Sequence, residues 1–305
     1  MKKTNPINIC IIGAGRVGTT VSYVFAKKAL PGIRLRAISS RSESSLNRAR
    51  RILGEAIKGI IFTRDNLEAV SHSNCVLICT PDDAIRRVCE EISKGIESEK
   101  FRDCCVIHFS GSKSLDVLSP AKAAGADIAS IHPLKSFASI EEAIRTLQGT
   151  IYGLTCSSTR SKKIAKLLVE NLGGEIIEVE DNKKPLYHAA ACVASNYLVA
   201  LLNYAVMIHE KIGIKPEDSL KGLMSLVDGT VENIKKMGTE KSLTGPIARG
   251  DIGTIREHMA SFKKYFKLEE TELYRVMGVK TSKIAYKNKW IKENTMDELI
   301  KILKE

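Results

Sequence analysis

The chain has 305 residues, 44% hydrophobic, 27% charged and 5% aromatic, and its 47 Lys+Arg against 35 Asp+Glu give a formal net charge of +12. That length supports two domains with proper cores and excludes a chain that depends on disulfide staples. The charge raises the question of nucleic acid, but with few aromatics and with Lys/Arg scattered over helical faces no nucleic-acid partner is expected; a positive field suits an anionic cofactor and a small anionic substrate.

The opening residues Met1 to Pro6 lead directly into a strand, and no apolar run approaches the roughly 20 residues that span a bilayer, so a cytoplasmic chain without a membrane partner is expected. Eight cysteines (10, 75, 79, 89, 104, 105, 156 and 192) include no C-x-x-C pair and no zinc-spaced His/Cys cluster. They read as reduced, buried small hydrophobes; neither a metal nor a catalytic thiol is expected.

A buried strand over Asn8 to Ile12 runs into Gly13-Ala14-Gly15-Arg16-Val17-Gly18 and then into a helical pattern of Val17, Val21, Val24 and Phe25. This is the G-x-G-x-x-G cradle of a dinucleotide. Gly13 permits the tight turn, Gly15 the approach of backbone to pyrophosphate and Gly18 close helix–strand packing, while the new helix aims free N–H groups at the anion. The second strand, Arg34 to Ser40, ends where an adenosine ribose sits. An NAD site wants an acidic residue there; this chain offers Ser39-Ser40-Arg41-Ser42, hydroxyls and a guanidinium that suit a 2'-phosphate, so NADP(H) is the expected cofactor. Arg16 offers a second positive charge. The alternative for Arg41 is a solvated helix face shared with Arg48 and Arg51.

Further strands follow at 59–62, 74–79, 104–109, 127–131, 150–156 and 175–179, about eight in all, with helices at 84–93 and 160–172. Asp82 or Asp83 is the expected cap of the helix after Thr80-Pro81, a loop that lies over the cofactor's second half. Ser110 and Gly111 are expected along the nicotinamide, and His132, before Pro133, faces the same crevice, where it holds substrate or ties its own loop. His108 reads as a buried structural histidine.

At Asp181 the strand–helix rhythm stops, which puts a Rossmann NADP-binding domain at 1–181 and an all-α substrate and dimerisation domain at 182–305. The fold class is α/β: a doubly wound, mainly parallel sheet followed by helices. On one continuous helix from 184 to 212, Lys184, His188 and Ser195 fall within about 40° of one another, with Asn196 and Asn203 on the neighbouring edge. Reduction of a carbonyl needs a proton donor, which Lys184 or His188 supplies, and an amide to orient the oxygen, which is Asn196; the bland reading is a solvated lysine and a core histidine. In Leu243 to Asp251, Gly-Pro fixes a corner, Thr244 offers a hydroxyl and Arg249 a fork for a carboxylate, or else Arg249 bridges two elements; Asp251 is the expected N-cap of a helix at 252–261. Residues 262–305 carry no functional signal.

The motifs G-A-G-R-V-G, S-S-R, H-F-S-G-S, I-H-P-L-K-S-F, K-P-L-Y-H-A-A-A-C-V-A-S-N-Y and L-T-G-P-I-A-R-G-D, in this order, resemble NADP oxidoreductases that pair a Rossmann domain with a C-terminal helical domain of undefined function. These are similar to ketopantoate reductases, 3-hydroxyacid dehydrogenases, pyrroline-5-carboxylate reductases and prephenate dehydrogenases. The resemblance implies a homodimer through the helical domain and an NADPH-dependent reductase of a small 2-oxo acid, ketopantoate first. In 3-hydroxyacid dehydrogenases and ordinary ketopantoate reductases a helix presents a lysine followed about one turn later by an asparagine; here Lys184 matches, the residue four later is His188, and Asn196 arrives two turns further on. Thr244 stands in the place of a substrate-holding serine, and His132-Pro133 is similar to the His-Pro of prephenate dehydrogenases. Reduction of a cyclic imine, exchange with a deazaflavin, and a non-catalytic NADPH sensor or scaffold are the competing readings.

Overall fold

The computed structural model describes residues 6–27 and 32–305. Eight strands form one sheet: β1 (Ile7–Ile12), β2 (Ile33–Ser39), β3 (Ile61–Thr63), β4 (Cys75–Ile78), β5 (Cys105–His108), β6 (Asp127–Pro133), β7 (Ile151–Cys156) and β8 (Glu175–Glu178). Their order is β3-β2-β1-β4-β5-β6-β7-β8, parallel throughout except for the antiparallel β6–β7 pair. The continuous apolar runs of β4 (CVLI) and β5 (CVIH) are what a strand buried on both faces requires. At the edge, β8 (EIIE) is largely exposed.

Helices cover both faces. One core layer joins Val21, Val24 and Phe25 of the helix Arg16–Lys27 to Ile9 and Ile11, and the other joins Ile85, Val88 and Ile92 of the helix Asp82–Gly95 to Ile12 and Ile78. The register sets the functional edge. Ile12 pairs Ile78, Ile78 pairs His108 and His108 pairs Ser130, so the loops that leave β1, β4 and β5 and the end of β6 emerge side by side at the carboxyl end of the sheet.

The chain divides into two compact units, Met1–Tyr197 and Leu198–Glu305, later than the change of composition at 181, because the helix Lys184–Ala194 belongs with the sheet. The second unit is helical, with Pro216–Lys241, Ile252–Tyr265, Leu268–Lys287 and Glu293–Lys304 as its long elements and a core that includes Ile255, Met259, Leu299 and Leu303.

Two local expectations are corrected. The segment 184–212 is not one helix: Ser195, at φ −114° and ψ −67°, separates Lys184–Ala194 from Asn196–Lys211. Nor is a long apolar segment lacking. Asp181–Lys211 has a mean hydropathy of 1.6 over its most apolar window, none of it buried, and so meets the length and composition of a membrane span. His188, Ser195, Asn196 and Asn203 interrupt the apolar letters, so no unbroken run matches the average hydropathy of the segment.

Candidate active site

Gly13, at φ +110°, makes the turn out of β1, and a Cβ there would sit 2.8 Å from the Cys79 carbonyl carbon and oxygen. A Cβ on Gly18 would land on the Gly13 carbonyl oxygen, whereas one on Gly15 meets nothing within 4 Å, so Gly15 faces open space. These glycines open onto a cleft of about 710 Å³ whose walls include Ser40, Arg41, Arg64, Thr80 and Pro81. The Thr80 Oγ1 is buried with no partner among the described residues, as a hydroxyl kept for a ligand would be.

The ribose end differs in part from expectation. Ser40 and Arg41 line the cleft, and Ser42 lines it while its hydroxyl caps the helix Glu43–Leu53 through the Ser45 N–H. Ser39 is fully buried and donates to Asn66 Oδ1 at 2.8 Å, which removes it from any 2'-phosphate contact; the sequence reading had counted it because burial at the end of β2 depends on the packing of Asn66. Asn66 in turn donates to both Glu91 carboxylate oxygens at 3.1 Å. Arg64, after β3, is a second exposed guanidinium on the cleft wall that the sequence reading passed over, since only strand order brings β3 beside β2. Arg16 instead reaches out to donate to the Phe137 carbonyl at 3.2 Å, and Val17 packs against the core.

Where β5 ends, Ser110 and Ser112 both donate to Asp82 Oδ2, at 2.7 and 2.9 Å. Asp82 is thus a brace between two loops and not a cap; the N-cap position is held by Pro81. Ser110 Oγ also accepts from the Lys113 N–H at 3.0 Å, so this hydroxyl is spent on its own turn. Beneath the turn lies Lys184, 1% exposed, which donates from Nζ to Ser130 Oγ at 2.7 Å and to the Ser110 carbonyl at 3.1 Å. Burial pushes its pKa down to about 8, against the partial restoring effect of Asp181 and Asp82.

Above the turn stand His132 and His188, edge to face with ring centroids 5.5 Å apart. Gly111 lies between them: a Cβ there would be 2.5 Å from His188 Nδ1 and 2.7 Å from His132 Nε2. Tyr187, absent from the sequence reading, holds His132 by a 3.2 Å hydrogen bond between its hydroxyl and Nδ1, and its ring sits in the space left by Gly153. Both histidines line a pocket of about 370 Å³ together with Lys135, Cys192, Ser195 and Asn196. Lys135 is already occupied, donating to the Thr146 carbonyl at 2.8 Å and to its hydroxyl.

Burial, then His188 and Lys184, push the His132 pKa down to about 4; burial and then Lys184 push that of the fully buried His108 down to about 3. An unfolded histidine titrates near 6.5, so as pH falls through 6.5 the unfolded chain takes up these two protons first. Each group then withdraws about 1.4 kcal/mol of stability per pH unit, until pH 4 for His132 and pH 3 for His108. Urea melts between pH 7 and 4 are expected to show the midpoint falling, and His132→Gln to flatten that fall by about half the two-histidine slope.

In the second unit, Thr244 is exposed, and Arg249, 65% exposed, donates to Asp251 Oδ2 at 2.8 and 2.9 Å. Asp251 stands at the N-cap of Ile252–Tyr265, but its carboxylate caps nothing, being engaged by Arg249. The expected carboxylate fork therefore bridges its own loop to the next helix.

Residues 2–133 match the model of the Rossmann-like domain, and residues 150–281 match that of DUF2520, a domain of unknown function. The two matches follow one another along the chain, with 134–149 between them. Ser110, Gly111 and His132 thus come from the Rossmann-like segment, while β7, β8, Lys184, Tyr187 and His188 come from the DUF2520 segment. No curated protein matches. Among solved structures, TM1727 of Thermotoga maritima is 28% identical over 92% of this chain and 99% of its own, with a TM-score of 0.71. Two share the fold at lower identity: a pyrroline-5-carboxylate reductase of Coxiella burnetii (16%, 98% of each chain, TM-score 0.60) and the NADP-bound pyrroline carboxylate reductase of Plasmodium falciparum (13%, 97% and 98%, TM-score 0.57). The resemblance to proteins that pair a Rossmann domain with a helical domain of undefined function, and the α/β class of about eight strands, both hold.

Proposed function

We propose that the chain is an NADPH-dependent oxidoreductase that reduces the carbonyl of a small 2-oxo acid, with ketopantoate as the first substrate to try. The observation that carries this reading is the pair of imidazoles clasping Gly111 at the same sheet edge as an intact dinucleotide cradle. Gly13, Gly15, the free Thr80 hydroxyl, Arg41 and Arg64 fit NADP(H), which when bound supplies a hydride.

The chain's own groups supply the rest. With the Tyr187 hydroxyl donating to Nδ1, His132 carries its proton on Nε2, the nitrogen that faces Gly111, and so presents a fixed donor to a substrate oxygen. His188 is the second donor, with a buried and unpaired Nδ1. Lys184 lies below, where its ammonium braces Ser110 and Ser130 and adds positive potential as charge develops on the oxygen. Pro133, Ala191 and Ala194 give the pocket apolar walls that suit a short branched aliphatic substituent, and Asn196 stands at its rim. A cyclic imine is the second reading, favoured by the fold shared with pyrroline-5-carboxylate reductases. NADPH oxidation followed at 340 nm with ketopantoate and a panel of oxo and imino acids tests both: turnover of ketopantoate supports the first, turnover of imines alone the second, and none at all leaves an NADPH-binding scaffold.

The choice of NADP(H) rests on Arg41 and Arg64. Replacing both with Ala is expected to weaken NADPH by about a hundredfold, since each charge-assisted pair contributes about 1.5 kcal/mol, and to leave NADH unchanged in fluorescence titrations.

The exposed apolar side chains Leu186, Val193, Tyr197 and Val199 of Asp181–Lys211 favour a homodimer over a membrane anchor, because the same segment delivers Lys184 and His188 to the site. Light scattering coupled to size exclusion is expected to give twice 33.5 kDa.

A further inference from the structure

Cys192 stands apart from the other seven cysteines. Cys10, Cys75, Cys89, Cys104 and Cys105 are buried, Cys79 and Cys156 half-buried, and burial raises the pKa of all seven thiols. Cys192 lies one turn after His188 on the helix Lys184–Ala194, its Sγ 3.6 Å from His188 Nε2. Both residues line the 370 Å³ pocket, and the far nitrogen of the same imidazole, Nδ1, is buried and has no partner among the described residues. A thiol beside an imidazole that can take its proton, in a cavity large enough for a small molecule, is the arrangement that makes a cysteine nucleophilic.

We propose that Cys192 is a covalent modification site for small soft electrophiles of the α,β-unsaturated carbonyl class, with His188 as the base that activates it. Sγ adds to the β-carbon and the C–S bond forms as the alkene π pair moves onto the carbonyl. The thiol proton passes to His188 Nε2 and from there to the α-carbon, so nothing else is consumed. The adduct fills the pocket of His132 and His188 and leaves the cradle at Gly13 open, because Cys192 is not among the residues of that cleft.

That the adduct also stops turnover rests on the oxidoreductase reading; the modification does not. The test is limiting N-ethylmaleimide on the folded full-length chain, followed by peptide mass mapping. Cys192 is expected to react about tenfold faster than any other thiol, and His188→Gln to slow it about tenfold, because the variant removes the base that takes the thiol proton. Cys192→Ser removes the fast phase, and in urea all eight cysteines label alike. The labelled protein still quenches on binding NADPH as the unlabelled one does. A fast adduct on Cys79 or Cys156, no fast phase, or an unchanged rate in His188→Gln overturns the proposal. Fast labelling of Cys192 in a chain that turns over no oxo or imino acid leaves it standing while the catalytic reading falls.

Discussion

Gly18→Ala is expected to raise the dissociation constant for NADPH by about a hundredfold and to lower the melting temperature, while Gly15→Ala leaves the melting temperature where it is. The difference follows from what each new Cβ meets. At Gly18 it falls on the carbonyl oxygen of Gly13, which is backbone and cannot rotate away, so the helix Arg16–Lys27 has to move off the turn it completes. Overpacking of this kind costs about 3 kcal/mol, and because the turn is also the pyrophosphate cradle the cost falls on binding and folding together. At Gly15 the Cβ enters open space, so the fold is unaffected and any loss of affinity reports a ligand lying against that backbone. Fluorescence titration with NADPH and thermal melts of both variants check this. A Gly18→Ala protein that binds and melts like the wild type would show the cradle to be yielding, and with it the reading of β1 and its turn as the cofactor's anchor would fail.

Local chemistry explains which parts of the site the sequence disclosed. The cradle was legible because its three glycines, strand and helix all lie between Ile7 and Lys27 and answer to one another by spacing alone. His132, His188 and Lys184 were each visible as polar residues at a strand end or on a helix stripe, but their arrangement was not. The burial of Lys184 under Ser110, and the clasp of Gly111 between two rings, depend on β5, β6 and a helix that begins some fifty residues after β6 meeting at one edge. Arg64 belongs to no motif, and Tyr187 sits inside K-P-L-Y-H with no spacing that assigns it a role, since one is brought in by the position of β3 and the other by the space at Gly153. Asp82 is not the cap expected of it, and Asp251 takes its N-cap position without capping through its side chain, for a single reason. A carboxylate at a helix start has a default partner in the backbone N–H groups, and a nearby pair of hydroxyls or a guanidinium outcompetes it only in three dimensions.

Lys184→Met should reduce kcat/KM by two to three orders of magnitude, about 3–4 kcal/mol of barrier, without unfolding the protein. The ammonium is 1% exposed and its pKa is pushed down to about 8 by burial, so at neutral pH the fold bears a cost for keeping it charged. The sign follows from the two titrations. Between pH 10.5 and 8 the unfolded lysine is protonated and the folded one is not, so wild-type stability rises with pH across that window, and below pH 8 the cost is present in full. Methionine fills the same volume, removes that cost and leaves the Ser110 carbonyl with the Ser130 hydroxyl at 3.3 Å as a donor. Urea melts of Lys184→Met should therefore match or exceed the wild type at pH 7 and lose the dependence between pH 8 and 10.5. The kinetic signature is separate. If the ammonium holds the Gly111 turn against His132 and His188 and supports charge on the substrate oxygen, wild-type kcat/KM falls above about pH 8 as the lysine loses its proton, and the variant lacks that limb. A purely structural lysine predicts the opposite pattern, a variant that melts early and shows the wild-type pH profile, so the two measurements together decide whether the buried amine serves the fold or the chemistry.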